Sequence, residues 1–496
     1  MEQGIQEGEK ASEGNIGLQR KDTEEVRGDG KGKKTKPGRR QDERPASIVD
    51  ADQIKITVGH FFKDYLNGWM DEVHEPRELE QCTYSSRHLF WFGIIMFLFR
   101  LGSRRQLLFE RETASFHSNL LSLSGTDEEL VAHTDTLNYL LELIDPAEME
   151  MVKVKMIRKL ISDKRLDDFR FYGEFLVAVD GTELFSFKEQ HCEQCLKTEH
   201  SGGSVTWSHK MLEAKIVSEC GLALSACSES IQNEGGLYVK QDCELKAFYR
   251  LEKKLKKHFA RTRICLLLDG LYACKEVFDI CRRNNWSFII VFKEGSIPTL
   301  HAEAVRTRNS HPKNFLPVQN GDTVFQELSW AHNLPYHGHS VHALFCKDHG
   351  QMKGVESITD WSWITDIRPD AENINELVNK GGRQRWKIEN QGFKDQKRHD
   401  FELEHLYGEH PNAWKNYYHL LQIAHILTQL IIHGDLCRKL QALSSGKDMR
   451  QTLPFIGYYR SIRNFVRRLT ESFRNCIFSE YAWSLPEKIQ IRFSSA

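Results

Sequence analysis

Apolar positions change their spacing along this chain, and the changes mark out its parts. Residues 1–47 carry almost no large apolar side chain and are rich in Gly, Glu, Lys and Arg. Such a stretch cannot bury enough surface to offset its ordering entropy, so a disordered tail is expected. From 48 to 170 the spacing is helical. Phe61, Phe62, Tyr65, Leu66 and Trp69 fall on one face of a helix. Leu89–Phe99 is a continuous apolar run, shorter than the about 20 residues that span a bilayer, and reads as a buried helix. Leu137, Leu140, Leu141 and Ile144 mark another helix, closed by Asp145-Pro146. Few strand signals interrupt this region, so a separate helical domain is predicted.

Near residue 174 the pattern switches. Phe175–Val179 is a short apolar run of strand formers ending at Asp180, which fits a strand buried on both faces. Leu212–Val217 and Leu222–Cys227 read as two more strands around a turn at Gly221. Leu245, Phe248, Tyr249, Leu255 and Phe259 form the apolar stripe of a helix, and Ile264–Leu268 is another buried strand, ending at Asp269. A helix (Ala273–Arg283) and a strand (Phe288–Phe292) follow. These lengths suit three antiparallel strands with a parallel extension. Residues 300–368 alternate in short stretches with little helix; Val324–Leu328 and Val341–Phe345 read as strands of a β-rich insertion, and Trp361–Asp366 as the strand returning to the core. A helix is predicted from about Asn373 to His399.

The segments are therefore a tail (1–47), a helical DNA-binding or dimerisation domain (48–170), a first core part (171–299), the insertion (300–368), a second core part (369–435) and a basic helical C-terminal region (436–496). The fold class is α/β: a mixed sheet with flanking helices, interrupted by the insertion and preceded by the helical domain.

Composition then narrows the partners. The 496 residues hold 68 Lys+Arg against 69 Asp+Glu, a net charge of -1, which excludes a uniformly cationic nucleic-acid binder. Positive charge is instead local, at 31–44, 253–257, 383–398 and 460–474. The 12 cysteines are mostly scattered, and no secretory signal opens the sequence, so a reducing cytoplasmic setting is expected and no membrane partner.

Asp180 and Asp269 each follow a buried strand. Neighbouring strands would bring their carboxylates to one cleft, where a hard divalent cation, Mg²⁺ or Mn²⁺, relieves the repulsion; each Asp-Gly also reads as an ordinary turn. On the late helix, Glu389 lies between Arg385 and Lys397 on the wheel, either to complete a two-metal site flanked by phosphate-binding cations or as surface ion pairing. Trp361 and Trp363 alternate onto one strand face and are candidates for base stacking or for the core. His191, Cys192, Cys195, His200 and His209 lie between the first two core strands. Of these, Cys192, Cys195, His200 and His209 are the candidate Zn²⁺ ligands, against a metal-free thiol-rich loop.

Three motifs carry a resemblance. They are Val179-Asp180-Gly181-Thr182, Leu267-Leu268-Asp269-Gly270-Leu271-Tyr272 and Arg385-Trp386-Lys387-Ile388-Glu389-Asn390. With Leu101–Leu107, His191–Cys195, His209–Leu212 and Lys240–Glu244, they resemble the DDE transposases of bacterial insertion sequences, in the branch with the YREK signature. The resemblance spans roughly residues 85–435. It implies an RNase H-like catalytic domain, with Asp180, Asp269 and Glu389 as catalytic ligands of two Mg²⁺ or Mn²⁺ ions. It implies cleavage at transposon ends and strand transfer to target DNA. It also implies double-stranded DNA as partner, a homodimer in the DNA complex, and work at the nucleoid. Arg385 takes the arginine place and Lys397 the lysine place. The sequence departs from the signature in two places: Gly382 stands at the tyrosine place, and Lys397 falls one residue late, with Gln396 in the expected position. Arg383 and Lys387 are further candidate DNA contacts. The rival readings are a nuclease of the same fold without strand transfer and a catalytically idle DNA-binding protein.

Overall fold

The strand that begins at Phe175 does not stop at Asp180. It runs to Phe187, and its burial changes on the way, from buried on both faces at Phe175–Val179 to alternating beyond. The sequence marks only the first half because only that half lies deep in the core. The computed structural model that shows this describes residues 49–233, 240–320, 324–352, 355–398, 401–479 and 489–490. The N-terminal tail and its basic stretch at 31–44 lie outside the described residues.

The chain is α/β. Ten strands form one mixed sheet: β1 Phe175–Phe187, β2 Leu196–Glu199, β3 Val205–Val217, β4 Ala223–Ile231, β5 Ile264–Leu268, β6 Ser287–Val291, β7 Phe315–Asn320, β8 Val324–Tyr336, β9 His339–Met352 and β10 Val355–Thr365. Their order is β2-β3-β1-β5-β6-β10-β9-β8-β7, with β4 also on β3. β2 and β4 share one edge of β3, β2 against Val205–Ser208 and β4 against Lys210–Val217. β1 runs antiparallel to β3 and parallel to β5, and β5 runs parallel to β6. The β-rich insertion continues this sheet, because β10 returns antiparallel along β6. That region also opens with a helix the alternation does not announce, Pro298–Ser310, with proline in its first turn where the missing N–H costs nothing.

In the helical region the run from Phe61 to Trp69 is not one helix. The first helix ends at Phe61, Lys63 takes a left-handed φ of 50°, and a second helix starts at Tyr65. The break turns Tyr65 outward, 52% exposed, while Phe61, Phe62 and Leu66 stay buried. The apolar run does form a helix, Ser86–Leu98, capped by Ser85. Asp145 caps the next long helix, Pro146–Ser162, by accepting from the N–H of Ala147. These helices pack around a central helix, Pro411–His433, nearly all of whose side chains are buried. Asn416 on it donates to the carbonyls of Leu141 and Ile144, satisfying the end of the Thr134–Leu143 helix. No helix among the described residues is long and apolar enough to cross a membrane.

Beneath the sheet's first strands lies a buried charge network. Glu213 on β3, fully buried, lies 3.8 Å from both Lys153 and Lys215 and accepts from Ser225, Ser228 and Tyr418. Surrounded by so many donors, its carboxyl is held below the usual range against the opposing effect of burial.

Candidate active site

β1 and β5 are in parallel register, with Ala178 opposite Leu267. Asp180 and Asp269 each stand two residues further on, at the carboxyl end of that pair, where open α/β sheets place their ligands. β5 stops at Leu268 and the chain turns at Asp269 into a short 3₁₀ segment, Gly270–Tyr272.

The third carboxylate comes from the late helix, which is not regular. Residues 374–398 begin as an α-turn, wind as π-helix over Leu377–Gly381, tighten to 3₁₀ over Gly382–Arg385, widen again to π-helix over Ile388–Phe393 and finish as an α-turn, Lys394–Arg398. Arg385 is buried and spans the site. Its Nη1 lies 3.4 Å from Asp180 Oδ2, and its Nη2 donates to Glu389 Oε1 at 2.9 Å. The arginine therefore ties the helix glutamate to the strand aspartate. Burial raises the Asp180 carboxyl to about 7; Arg385 opposes this, while Glu389 and Glu244 push the same way as burial. The site is thus richer in negative charge than one guanidinium can offset, which is the condition a divalent cation relieves.

Glu244 is a residue that the sequence reasoning missed as a site member. It opens the helix Glu244–His258, and its carboxyl lies against the backbone of β1: a Cβ on Gly181 would fall 2.5 Å from Glu244 Oε1. Residue 181 must therefore be glycine for the carboxylate to approach. Burial raises the Glu244 carboxyl, opposed by Lys210 and reinforced by Asp269. Tyr272, from the same turn as Asp269, has a buried hydroxyl without a hydrogen-bond partner among the described residues. Burial, then Glu244, Asp180 and Asp269, push its phenol far up, so it stays protonated. The sequence signals for Glu244 were its place at the start of an amphipathic helix and its membership of the Lys240–Glu244 block.

The other expected site residues divide. Lys397 pairs with Glu404 at 2.8 Å. Gln396 is fully buried and exchanges hydrogen bonds with Gln422, which also accepts from Lys215. A π-turn carries one residue more than an α-turn, so the π segment before it gives Lys397 the phase that residue 396 would have on a regular helix. That shift matches the one-residue displacement of the lysine in direction, while the Lys397 ammonium itself is held by Glu404. Arg383 pairs with Asp348 of the insertion and lies over the Trp361 ring at 5.6 Å. Lys387 is half-buried near Cys220 and His433.

Trp361 and Trp363 do share a strand face, stacked at 6.4 Å, but their surroundings differ. Trp363 is 2% exposed and belongs to the core. Trp361 donates to Asp348 Oδ2 at 3.0 Å and lines an open groove of about 730 Å³ with His301, Arg308, His311 and Lys347. Gly382 packs against Trp363, so the space a tyrosine ring would need at that position is filled by the indole.

At the far end of β1 the thiols gather as expected, with one substitution among the partners. Cys192 Sγ lies 3.7 Å from Cys195 Sγ and 3.4 Å from His209 Nε2, and Cys195 Sγ lies 3.3 Å from the same nitrogen. His200 is not with them; its Nε2 meets Thr206 Oγ1 at 2.9 Å at the exposed β2–β3 turn. His191 stands in its place.

Compared with known proteins, the chain matches no family model and no curated protein.

Proposed function

We propose that this protein is a metal-dependent DNA transposase of the DDE type, built on an RNase H-like core. The observation that carries the reading is the meeting of three distant carboxylates. Asp180 and Asp269 stand side by side through the β1–β5 register, and Glu389 is joined to Asp180 through Arg385. The strand order β4-β3-β1-β5-β6, with the first three antiparallel and the last two parallel to β1, agrees with an RNase H-like arrangement.

Asp180, Asp269 and Glu389 would hold Mg²⁺ or Mn²⁺. Bound there, the ions would supply a polarised water or 3′-hydroxyl nucleophile and a counter-charge for the departing oxygen. Glu244 fixes the acidic wall behind Asp180. Arg385 orients Glu389 and would be a cation for a bound phosphate, with Lys397, paired with Glu404, about two turns beyond Glu389. Trp361, Arg308 and Lys347 offer a stacking surface and positive charge along the groove for the DNA strand. A homodimer would bring two transposon ends together.

The test incubates purified protein with Mg²⁺ or Mn²⁺ and a plasmid carrying the DNA that flanks its gene. Expected are metal-dependent strand breaks and joined products, both absent in Asp180→Asn, Asp269→Asn and Glu389→Gln. Breaks without joining would mark a nuclease instead. Wild-type protein that binds the DNA but never cuts it, with either metal, would overturn the enzymatic reading.

A further inference from the structure

We propose that His191, Cys192, Cys195 and His209 bind a structural Zn²⁺ ion that fixes the helix carrying Glu244 at the acidic site. The metal-binding half of this is independent of the DNA reading; the positioning half concerns the same site.

The ligands come from two places that the fold brings together. His191, Cys192 and Cys195 lie in the loop between β1 and β2. His209 lies on β3, directly opposite Phe185 of β1 and one residue from Ser208, the partner of Leu196 at the start of β2. Cys195 and His209 are buried, Cys192 is half-buried, and His191 is at the rim. Phe185 and Trp414 lie against the His209 ring, at 5.2 and 5.0 Å, and Phe187 stacks on His191 at 4.5 Å. Aromatic rings thus line the cluster and orient both imidazoles.

The distances discriminate between a metal site and a set of hydrogen bonds. With Zn–S near 2.3 Å and Zn–N near 2.05 Å, a tetrahedron has edges of about 3.8 Å for S···S and about 3.5 Å for S···N. The observed 3.7, 3.4 and 3.3 Å are close to those edges. A disulfide requires about 2.05 Å, so the two sulfurs are not placed as a bond. Hydrogen bonding accounts poorly for the triangle, since one imidazole nitrogen has a single lone pair or a single proton and cannot satisfy two thiols at once. The fourth position falls to His191 at the rim, whose ligand atom lies within 4.8 Å of those of Cys192 and His209 but is not grouped with Cys195, so its imidazole would swing inward to close on the ion. Two thiolates and two neutral imidazoles are a preferred donor set for Zn²⁺, and they neutralise its charge. Binding would release the two thiol protons.

A path of hydrogen bonds through the Asn233 side chain leads from this cluster toward the carboxylates. The carbonyl of Cys195 accepts from Asn233 Nδ2 at 2.8 Å, and Asn233 N–H donates to the carbonyl of Gln194 at 3.2 Å. Asn233 Oδ1 in turn accepts from the N–H of Asp242 at 3.1 Å, two residues before Glu244. Asp242 is pinned by Arg250 at 2.7 Å. The ordered loop is therefore the support on which the start of the Glu244–His258 helix hangs.

The experiment measures metal in the full chain, purified under reducing conditions without chelator. About one zinc per chain is expected, as for a closed four-ligand site. His200→Gln should keep it, while Cys192→Ser, Cys195→Ser and His191→Gln should each lose it or bind it far more weakly. Cobalt substitution should give the intense absorption of a tetrahedral site with thiolate ligands. If the cysteine variants fail to fold, chelation of the wild type supplies the readout: the melting temperature should fall and recover on adding zinc. Wild-type zinc below about a tenth of an equivalent, with both thiols free, would overturn the site. Retention in Cys192→Ser and Cys195→Ser would overturn the ligand set. Zinc binding without any change in exchange protection at 242–248 on chelation would overturn the positioning role.

Discussion

Gly382 lies so close to Trp363 that a Cβ on it would sit 2.7 Å from the indole Nε1. The backbone there is helical, with φ of -53°, so conformation alone would accept any residue. Alanine is better than glycine in a helix by about 1 kcal/mol, and propensity alone predicts that Gly382→Ala stabilises the protein. The rigid, buried indole predicts the opposite, a loss of about 1–3 kcal/mol from overpacking. The sign of the change in a denaturant titration decides between them. Gly382→Ala combined with Trp363→Phe should recover part of the loss, since the smaller ring yields the space.

Glu244 leads to a second expectation. It contacts the backbone beside Asp180 and interacts with Asp269, yet lies outside the trio that the motifs identify. Glu244→Gln keeps the shape and removes the charge. Metal-dependent DNA cleavage should fall about 10–100-fold, with a higher metal concentration needed for half-maximal rate. An unchanged metal dependence would make Glu244 a packing residue only. Gly181→Ala should have a similar effect by displacing the carboxylate.

Apolar spacing revealed much of this fold because the deep strands are apolar on both faces and the surface helices carry clear stripes. Phe175–Val179 and Ile264–Leu268 were visible for that reason, and with them the aspartates that follow. What was hidden lacked either signal. β2, with the sequence Leu-Lys-Thr-Glu, is short and polar, and owes its form to β3. The helix Pro411–His433 is buried nearly all round, which erases its periodicity. The break at Lys63 preserves an apolar spacing that reads as continuous helix. In the site, an even 100° per residue could not anticipate the two π segments, one before Arg385 and one that starts at Ile388 and changes the phase after Glu389. Counting intervals likewise could not tell His191 from His200; the β2–β3 turn decides it by carrying His200 away from the thiols.

The acidic site should respond to metal before any DNA is present. Burial raises the Asp180 carboxyl to about 7, and Glu389 and Glu244 add to this against the opposing Arg385. Mn²⁺ at about 100 times its dissociation constant should add about 2.7 kcal/mol of stability. The expected measurement is a rise in melting temperature with Mn²⁺ or Mg²⁺ that EDTA reverses and Asp180→Asn abolishes. Asp180→Asn should itself raise the metal-free melting temperature, because it removes one of the crowded charges. A fall would show that the Arg385 contact outweighs the repulsion.

The buried network around Glu213 sets a fourth expectation, on folding alone. Lys153 and Lys215 lie within 3.8 Å of one carboxylate and have no exposed surface. Glu213→Ala would remove the nearest counter-charge of both buried ammonium groups, leaving Lys153 with Glu150 at 4.0 Å and Lys215 with the more remote Asp395, and should cost about 3–5 kcal/mol. Glu213→Ala with Lys215→Met should cost less than the sum of the two single changes, which a thermodynamic cycle measures directly.

Acid should destabilise the chain through its buried histidines. Burial lowers His60, with Arg165 adding to it, to about 4, and lowers His342, with His332 and Arg368 adding, to about 4. Nδ1 of His342 accepts the N–H of Asn333, which requires the unprotonated nitrogen. His419, fully enclosed and close to Lys153 and Lys254, is held well below the usual range. For each group the folded pKa lies under the unfolded value of 6.5. As pH falls below 6.5 the unfolded chain takes up protons that the folded chain refuses, so stability present above pH 6.5 is lost toward pH 4. Asp180 and Asp366, raised mainly by burial to about 7 and about 6, act in the opposite sense and reduce the net slope. A single group is therefore isolated by difference. His419→Phe keeps an aromatic ring and cannot titrate. Between pH 6.5 and pH 5 the variant should lose less stability than the wild type, by at most about 1.7 kcal/mol, because the unfolded imidazole is only half protonated at pH 6.5. Parallel stability curves for the two proteins across that interval would mean that His419 takes its proton in the folded state.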